Sequence, residues 1–148
     1  MHVVSERNGL PMGASVSAGQ DHELRHATTL LDGIRVRRRG PGRPRSRPEA
    51  LAADRAYSAG SFYDYLRRRG IKQVIPERRL PSGRKRKAPP RKLDQERYRR
   101  RNVVERLVGW LKERRRLSTR YEKLAQKFLT MIKIAFIVRY LHVLSDTA

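Results

Sequence analysis

Residues 50–75 read ALAADRAYSAGSFYDYLRRRGIKQVI, and their punctuation predicts a strand, a helix and a second strand. Ala50 to Ala53 is a short apolar run that delivers Asp54 to its carboxyl end. Ser61 is placed to cap a helix carrying Phe62, Tyr65 and Leu66 on one side, and Gly70 is placed to end it. Ile71 to Ile75 then reads as the next strand, stopped by Pro76. A helix between two strands implies an α/β fold, and in open α/β sheets functional groups collect where strands end. Asp54 sits at such an end. It reads equally as a turn or capping aspartate.

The flanking segments extend this pattern. His2-Val3-Val4 is apolar and β-branched, Asn8-Gly9 is a turn dipeptide, and residues 12–18 alternate as a strand does, which together predict a hairpin. Asp21 can cap a helix in which Leu24, Ala27, Thr28, Leu31 and Ile34 recur at helical spacing, with Gly33 near its end. Residues 35–48, RVRRRGPGRPRSRP, contain too much proline and glycine for a helix or a central strand. They read as a solvated loop, as a loop tracking phosphates, or, through Gly42-Arg43-Pro44, as an arginine strip of the AT-hook kind for a narrow minor groove. Residues 77–92 form a second basic loop that cannot bury a core.

After Asp94, another capping candidate, comes YRRRNVVERLVGWLK from Tyr98 to Lys112. As one helix at about 100° per residue, it gathers Tyr98, Arg101, Glu105 and Lys112 into one wedge. Val103, Val104, Leu107, Trp110 and Leu111 fall on the opposite side. Taken alone, the polar wedge is the solvated face of an amphipathic helix. Thr119-Arg120-Tyr121-Glu122 has the form of a capping box. Leu124, Phe128, Met131, Ile132, Ala135, Val138 and Leu141 then mark a long helix expected to lie over the sheet.

Charge narrows the possible partners. Lys and Arg total 36 against 14 Asp and Glu, a formal charge of +22 in 148 residues. A chain so one-sided is expected to seek a polyanion, because displacing counterions from phosphates gives strong, salt-sensitive binding. With no cysteine there is neither a disulfide framework nor a thiolate zinc site. His22 and His26 at i, i+4 lack a nearby third ligand. The most apolar run, Ile134 to Val138, is bounded by Lys133 and Arg139 and falls short of a membrane span. Neither export nor a membrane is expected; the reading is cytoplasmic and nucleoid-associated.

The spacing Tyr98-x2-Arg101-x3-Glu105-x6-Lys112 resembles the signature around the last catalytic acid of insertion-sequence transposases of the DDE superfamily, in the insertion-sequence-4/5-like group. Ala53-Asp54-Arg55-Ala56-Tyr57 resembles the family's Asp-Lys-Ala-Tyr motif, with Arg55 where lysine is more frequent. The wording around Asn8-Gly9-Leu10-Pro11, Gly19-Gln20-Asp21-His22 and Arg120 to Ala125 is similar too. This resemblance implies a ribonuclease-H-like mixed sheet flanked by helices. Residues 1–148 would form a partial DDE catalytic domain with its two basic loops at 35–48 and 77–92.

The implied activity is DNA-mediated transposition by metal-dependent phosphodiester cleavage and strand transfer. Two Mg²⁺ ions activate the attacking oxygen and stabilise the leaving one in such chemistry, and they take carboxylate oxygens as ligands. By resemblance Asp54 and Glu105 are two of the three acids and metal ligands. Lys112 and Arg101 hold phosphates, Tyr98 contacts or positions the DNA strand, and Arg55, Arg43 and Arg45 bind DNA. The implied partners are double-stranded DNA at terminal inverted repeats and further copies of the chain when active.

The family's first catalytic aspartate lies on a strand before the hairpin that begins here at His2. Glu6 sits in the hairpin instead, and nothing recommends Asp21 or Asp32 for the role. The expectation is therefore a sheet lacking its first strand, with the missing segment supplied in cis or by an upstream-frame chain. Two other readings are a catalytically inert basic DNA-binding fragment, regulatory or a relic, and an RNA-binding protein. No basic strand with interleaved aromatics, the pattern that stacks unpaired bases, supports the last.

Overall fold

The computed structural model describes residues 1–17, 23–78, 92–119 and 121–146. The elements in order are β1 (His2–Ser5), β2 (Pro11–Ser15), α1 (Glu23–Gly33), β3 (Ala50–Ala52), α2 (Gly60–Arg68), β4 (Lys72–Val74), α3 (Gln95–Arg99), α4 (Asn102–Lys112), α5 (Arg115–Ser118) and α6 (Ala125–Ser145). They form a mixed α/β chain of two compact units, Met1–Leu30 with Asn102–Ala148, and Leu31–Arg101. Asp21 and His22, and most of the second basic loop, lie outside the described residues.

In the first unit β1 and β2 pair antiparallel, Val3 opposite Ala14, with an irregularity between Val4 and Ser5. The turn is set by its own chemistry. Gly9 adopts φ +90°, where a side chain is strained, and an added Cβ would come within 3.0 Å of Val103 Cγ1 on α4. The Glu6 carboxylate accepts the backbone N–H groups of Asn8 and Leu10 at 2.7 and 3.1 Å. Glu6 therefore serves the hairpin turn.

Leu111, Leu117, Ile132, Ala135 and Phe136 form the buried centre of this unit, packed against Val3, Ala14, Val16, Trp110, Phe128 and Met131. The Tyr140 hydroxyl donates to the Pro11 carbonyl at 2.7 Å and ties α6 to the hairpin. Burial and the Glu6 charge, in that order, push the Tyr140 phenol above the ordinary tyrosine value.

α6 does not lie wholly under cover, as its broad apolar periodicity predicts. Ile134, Ile137, Leu141 and Leu144 are exposed. One flank of the helix meets the hairpin and α5, while these four residues keep much of their surface open to solvent. By length and composition α6 is long enough to cross a membrane, although Lys133 and Arg139 interrupt it and Ile132, Ala135 and Phe136 are buried in the protein core. Nor does Thr119 open this helix. Its hydroxyl donates back to the carbonyl of Arg115, the first residue of α5, and α6 starts after Leu124 with no side-chain cap.

In the second unit β3 and β4 pair parallel, Ala50 opposite Lys72 and Ala52 opposite Val74, with α2 as the crossover the sequence predicts. Phe62, Tyr63 and Leu66 on α2 are buried, as are Ile71, Val74 and Ile75, so the apolar face of the helix and the second strand share one core. Gly70 ends the helix at φ +64°, a left-handed position suited to glycine. Ser61 is not the cap. α2 begins one residue earlier, after Ala59, with no side-chain bond, while the Ser58 hydroxyl accepts from Tyr63 and from the backbone of Arg78.

The expected single helix through Tyr98 is two helices. α3 stops at Arg99, Arg101 N–H turns back to the Tyr98 carbonyl at 2.9 Å, and α4 starts at Asn102. Arg97 with Arg100 and Arg101 would stack like charges at i+3 and i+4 in a continuous helix, which is unfavourable. Asn102 adds a weak helix former at the junction. Tyr98 and Arg101 therefore do not share a helical face with Glu105 and Lys112.

Candidate active site

Asp54 follows β3 directly, after Ala53 N–H has extended the ladder to the Val74 carbonyl. Its backbone is extended and its side chain accepts from Arg55 N–H, capping a single 3₁₀ turn over Arg55–Tyr57. That bond fixes one carboxylate oxygen and leaves other lone pairs free to accept. The capping reading of Asp54 is thus met in the structure, and it aims the carboxylate. Asp54, Arg55, Ala56, Arg78 and Tyr98 line one open cleft of about 400 Å³.

Tyr98 reaches this cleft through the way α3 is anchored. The Asp94 carboxylate caps α3 by accepting from Arg97 N–H at 3.1 Å and pairs with Lys72 on β4 at 3.2 Å. The Arg97 guanidinium pairs with Glu49, just before β3, at 2.8 Å. Two ion pairs thus hold α3 to the two strands whose ends frame Asp54. The Arg97 backbone bond first, and then Lys72, hold the Asp94 carboxyl below the usual carboxylate value. Arg101 adds a guanidinium 5.6 Å from the centre of the Tyr98 ring, a cation–π distance.

Glu105 and Lys112 lie in the other unit, on α4. Both are exposed, opposite the buried Leu107 and Leu111, and seven residues place them on one face two turns apart. Glu105 is in the first turn and Lys112 in the last, where each complements the helix dipole. Arg43 and Arg45 are exposed on the basic loop 35–48, where Arg45 exchanges two backbone hydrogen bonds of 2.8 Å with Val36.

Asp54, Arg55 and Tyr98 therefore share a cleft, Arg101 stacks over the Tyr98 ring, and Glu105 and Lys112 belong to α4 of the other unit. Sequence reasoning overlooked Arg78, whose only signal was a position just past the second strand. It also missed the Lys72–Asp94 and Glu49–Arg97 pairs, which join residues 22 and 48 positions apart. Among the described residues no three His, Cys, Asp or Glu side chains cluster as a metal cage. Mg²⁺ commonly takes one or two carboxylates and completes its shell with water and phosphate. The hard oxygens of Asp54 suit such a partial donor set, and the neighbouring arginines suit the phosphate.

The sequence matches the family model of the transposase DDE domain over residues 1–140. It is 32% identical over 133 residues to the protein assigned as the transposase for insertion sequence element IS402 in Burkholderia cepacia, a match covering 90% of this chain and 58% of that protein. The chain thus spans less than two thirds of that relative's length. No solved structure matches.

Proposed function

The chain belongs to the transposase DDE domain family, and from that premise we propose that it acts in DNA transposition by metal-dependent phosphodiester cleavage and strand transfer. The observation that carries this reading is the cleft in which Asp54 stands among Arg55, Arg78 and Tyr98. A carboxylate that can hold a hard cation lies beside two guanidinium groups that can hold a phosphate, which are the two requirements of phosphodiester chemistry.

In this reading Asp54 and Glu105 hold divalent metal, Mg²⁺ for preference. When bound, the metal supplies Lewis acidity to the phosphodiester and lowers the pKa of an attacking water or hydroxyl. Arg55 and Arg78 draw the backbone phosphate against Asp54, and the Tyr98 ring and hydroxyl position the adjoining strand. Arg101 keeps the Tyr98 ring in place, and Lys112 binds a phosphate alongside Glu105. Arg43 and Arg45 contact DNA away from the cleft.

The antiparallel hairpin of one unit and the parallel β3–α2–β4 segment of the other are the kinds of element that a ribonuclease-H-like mixed fold uses, and the reading takes that fold for the domain. The DNA would be the element's terminal inverted repeats, held by more than one copy of the chain. The nucleoid would be the place of action.

Binding of Mn²⁺, followed by electron paramagnetic resonance with the full chain and a gapped duplex, tests the carboxylate assignment. Loss of the bound-metal signal in both Asp54→Asn and Glu105→Gln, with unchanged circular dichroism, is the expected result. Wild-type affinity in one variant would reduce that acid to a structural role, and wild-type affinity in both would leave a basic DNA-binding protein.

A further inference from the structure

The basic loop 35–48 is a built structure. Val36 and Arg45 exchange both backbone hydrogen bonds at 2.8 Å, closing residues 37–44 into a short finger. Its base is locked to the end of α2. The Arg69 guanidinium donates to Asp32 Oδ1 at 2.7 Å, to the Tyr65 hydroxyl at 2.7 Å and to the Ser46 carbonyl at 2.6 Å. The Arg47 guanidinium returns a bond to the Arg69 carbonyl at 2.9 Å. Within the finger Pro41 and Pro44 fix their own φ angles, and Gly42 makes the reversal at φ +119°.

This frame carries Arg37, Arg38, Arg39 and Arg43, all exposed. No acid occurs in residues 35–48. Holding like charges together on a closed loop costs free energy in the unbound protein, and a row of phosphates relieves that cost. Because the loop is already ordered, little conformational entropy is lost on binding. Guanidinium groups match phosphate oxygens in bidentate geometry.

We propose that residues 36–45 form a preorganised phosphate-binding finger that grips the backbone of duplex DNA through Arg37, Arg38, Arg39 and Arg43, apart from the Asp54 cleft. It rests on the DNA-acting reading above and adds a site and a geometry to it. A duplex backbone is the ligand because residues 35–48 contain no aromatic side chain to stack on unpaired bases. The minor-groove strip is disfavoured because Arg45 pairs back to Val36, so Gly42-Arg43-Pro44 cannot continue as an extended chain.

The test is fluorescence anisotropy of the full chain on a mixed-sequence duplex across a range of salt concentrations. Replacing Arg37, Arg38, Arg39 and Arg43 together by glutamine is expected to weaken binding on the order of a hundredfold. It should also flatten the slope of log affinity against log salt by about 3 to 4, roughly 0.9 per phosphate contact. Val36→Pro keeps every arginine but removes the bridging N–H, and is expected to weaken binding about tenfold through the lost preorganisation.

A quadruple variant that binds with wild-type affinity and slope overturns the finger and leaves the transposition reading standing. Val36→Pro at wild-type affinity overturns the preorganisation. A finger-dependent preference for A·T-rich duplex overturns the phosphate assignment in favour of the minor groove. A wild-type chain that binds no duplex overturns both readings, whereas the Mn²⁺ experiment bears on the two carboxylates, Asp54 and Glu105, and leaves the finger untouched.

Discussion

Two isoleucines on α6 give a direct test of how its apolar surface is divided. Ile132 is 0% exposed and Ile137 is 59% exposed, and both sit inside the same helix, so a change to alanine alters intrinsic helix propensity equally, by about 0.4 kcal/mol in favour of alanine. Ile132→Ala removes buried methyl groups and leaves a cavity, for which about 2–5 kcal/mol is typical; about 3 kcal/mol is expected here.

Ile137 has less than half of its surface buried. At about 2.5 kcal/mol for a fully buried side chain, its burial contributes roughly 1 kcal/mol. The propensity gain offsets part of this, leaving a loss of about 0.5 kcal/mol. The difference of about 2.5 kcal/mol should separate the two melting temperatures by about 10 °C in a chain of this size. Urea and thermal unfolding followed by circular dichroism measure both variants. Equal destabilisation would refute the reasoning, because it would mean that the Ile137 side of the helix is covered in solution.

Gly70→Ala is expected to cost about 2 kcal/mol, from a left-handed φ that alanine resists. Its Cβ would also fall 2.5 Å from the Arg47 guanidinium; a urea midpoint equal to wild type would contradict this. Asp94 has its carboxyl pulled down by the Arg97 backbone bond and by Lys72, so its contribution is complete above the unfolded carboxylate pKa and disappears as pH falls through the lower folded value. Asp94→Asn should accordingly flatten the acid limb of the stability profile, and an unchanged limb would remove the assignment. Tyr140→Phe should lose about 1 kcal/mol with the bond to the Pro11 carbonyl. It should also delete a phenol that titrates above the ordinary tyrosine value by ultraviolet absorbance.

Much of the local structure was legible in the chain because it rests on neighbouring residues. Asn8-Gly9 announces the hairpin, and the apolar runs around Phe62 and Leu66, stopped at Gly70, announce the β3–α2–β4 unit. Asp94 was recognisable as a cap because an N-cap bond spans only three residues. The misreadings arise where a local pattern admits two outcomes. Ser61 and Thr119 are good capping types, yet α2 starts one residue before Ser61 and Thr119 bonds backwards to α5. Apolar spacing on α6 could not say which flank finds a partner, since that depends on the hairpin more than a hundred residues earlier. The chance of one helix through Tyr98 to Lys112 was set against like charges at Arg97, Arg100 and Arg101, which periodicity ignores.

The candidate site was legible to a different degree. Asp54 at a strand end and the family-like spacing around Glu105 drew attention to both acids. The cleft itself depends on Lys72–Asp94 and Glu49–Arg97, pairs between distant residues that no short motif encodes. Arg78, which lines the cleft, is tied through its backbone N–H to the Ser58 hydroxyl twenty residues earlier, a bond equally invisible to a short motif. The closure of the basic loop was hidden too, because Val36 and Arg45 pair through their backbones and their side chains give no sign of it.

Both sheets have only two strands, so among the described residues every strand has a hydrogen-bonded neighbour along one side alone. Such rims accept any stretched-out peptide by main-chain bonding, whatever its side chains. Brevity, three to five residues per strand, limits the gain from each such encounter. Clumps formed in this way during expression would resist added sodium chloride, whereas clumps bridged by contaminating polyanions would dissolve in it. The ionic strength at which a turbid preparation clears therefore reports which of the two surfaces brought the molecules together.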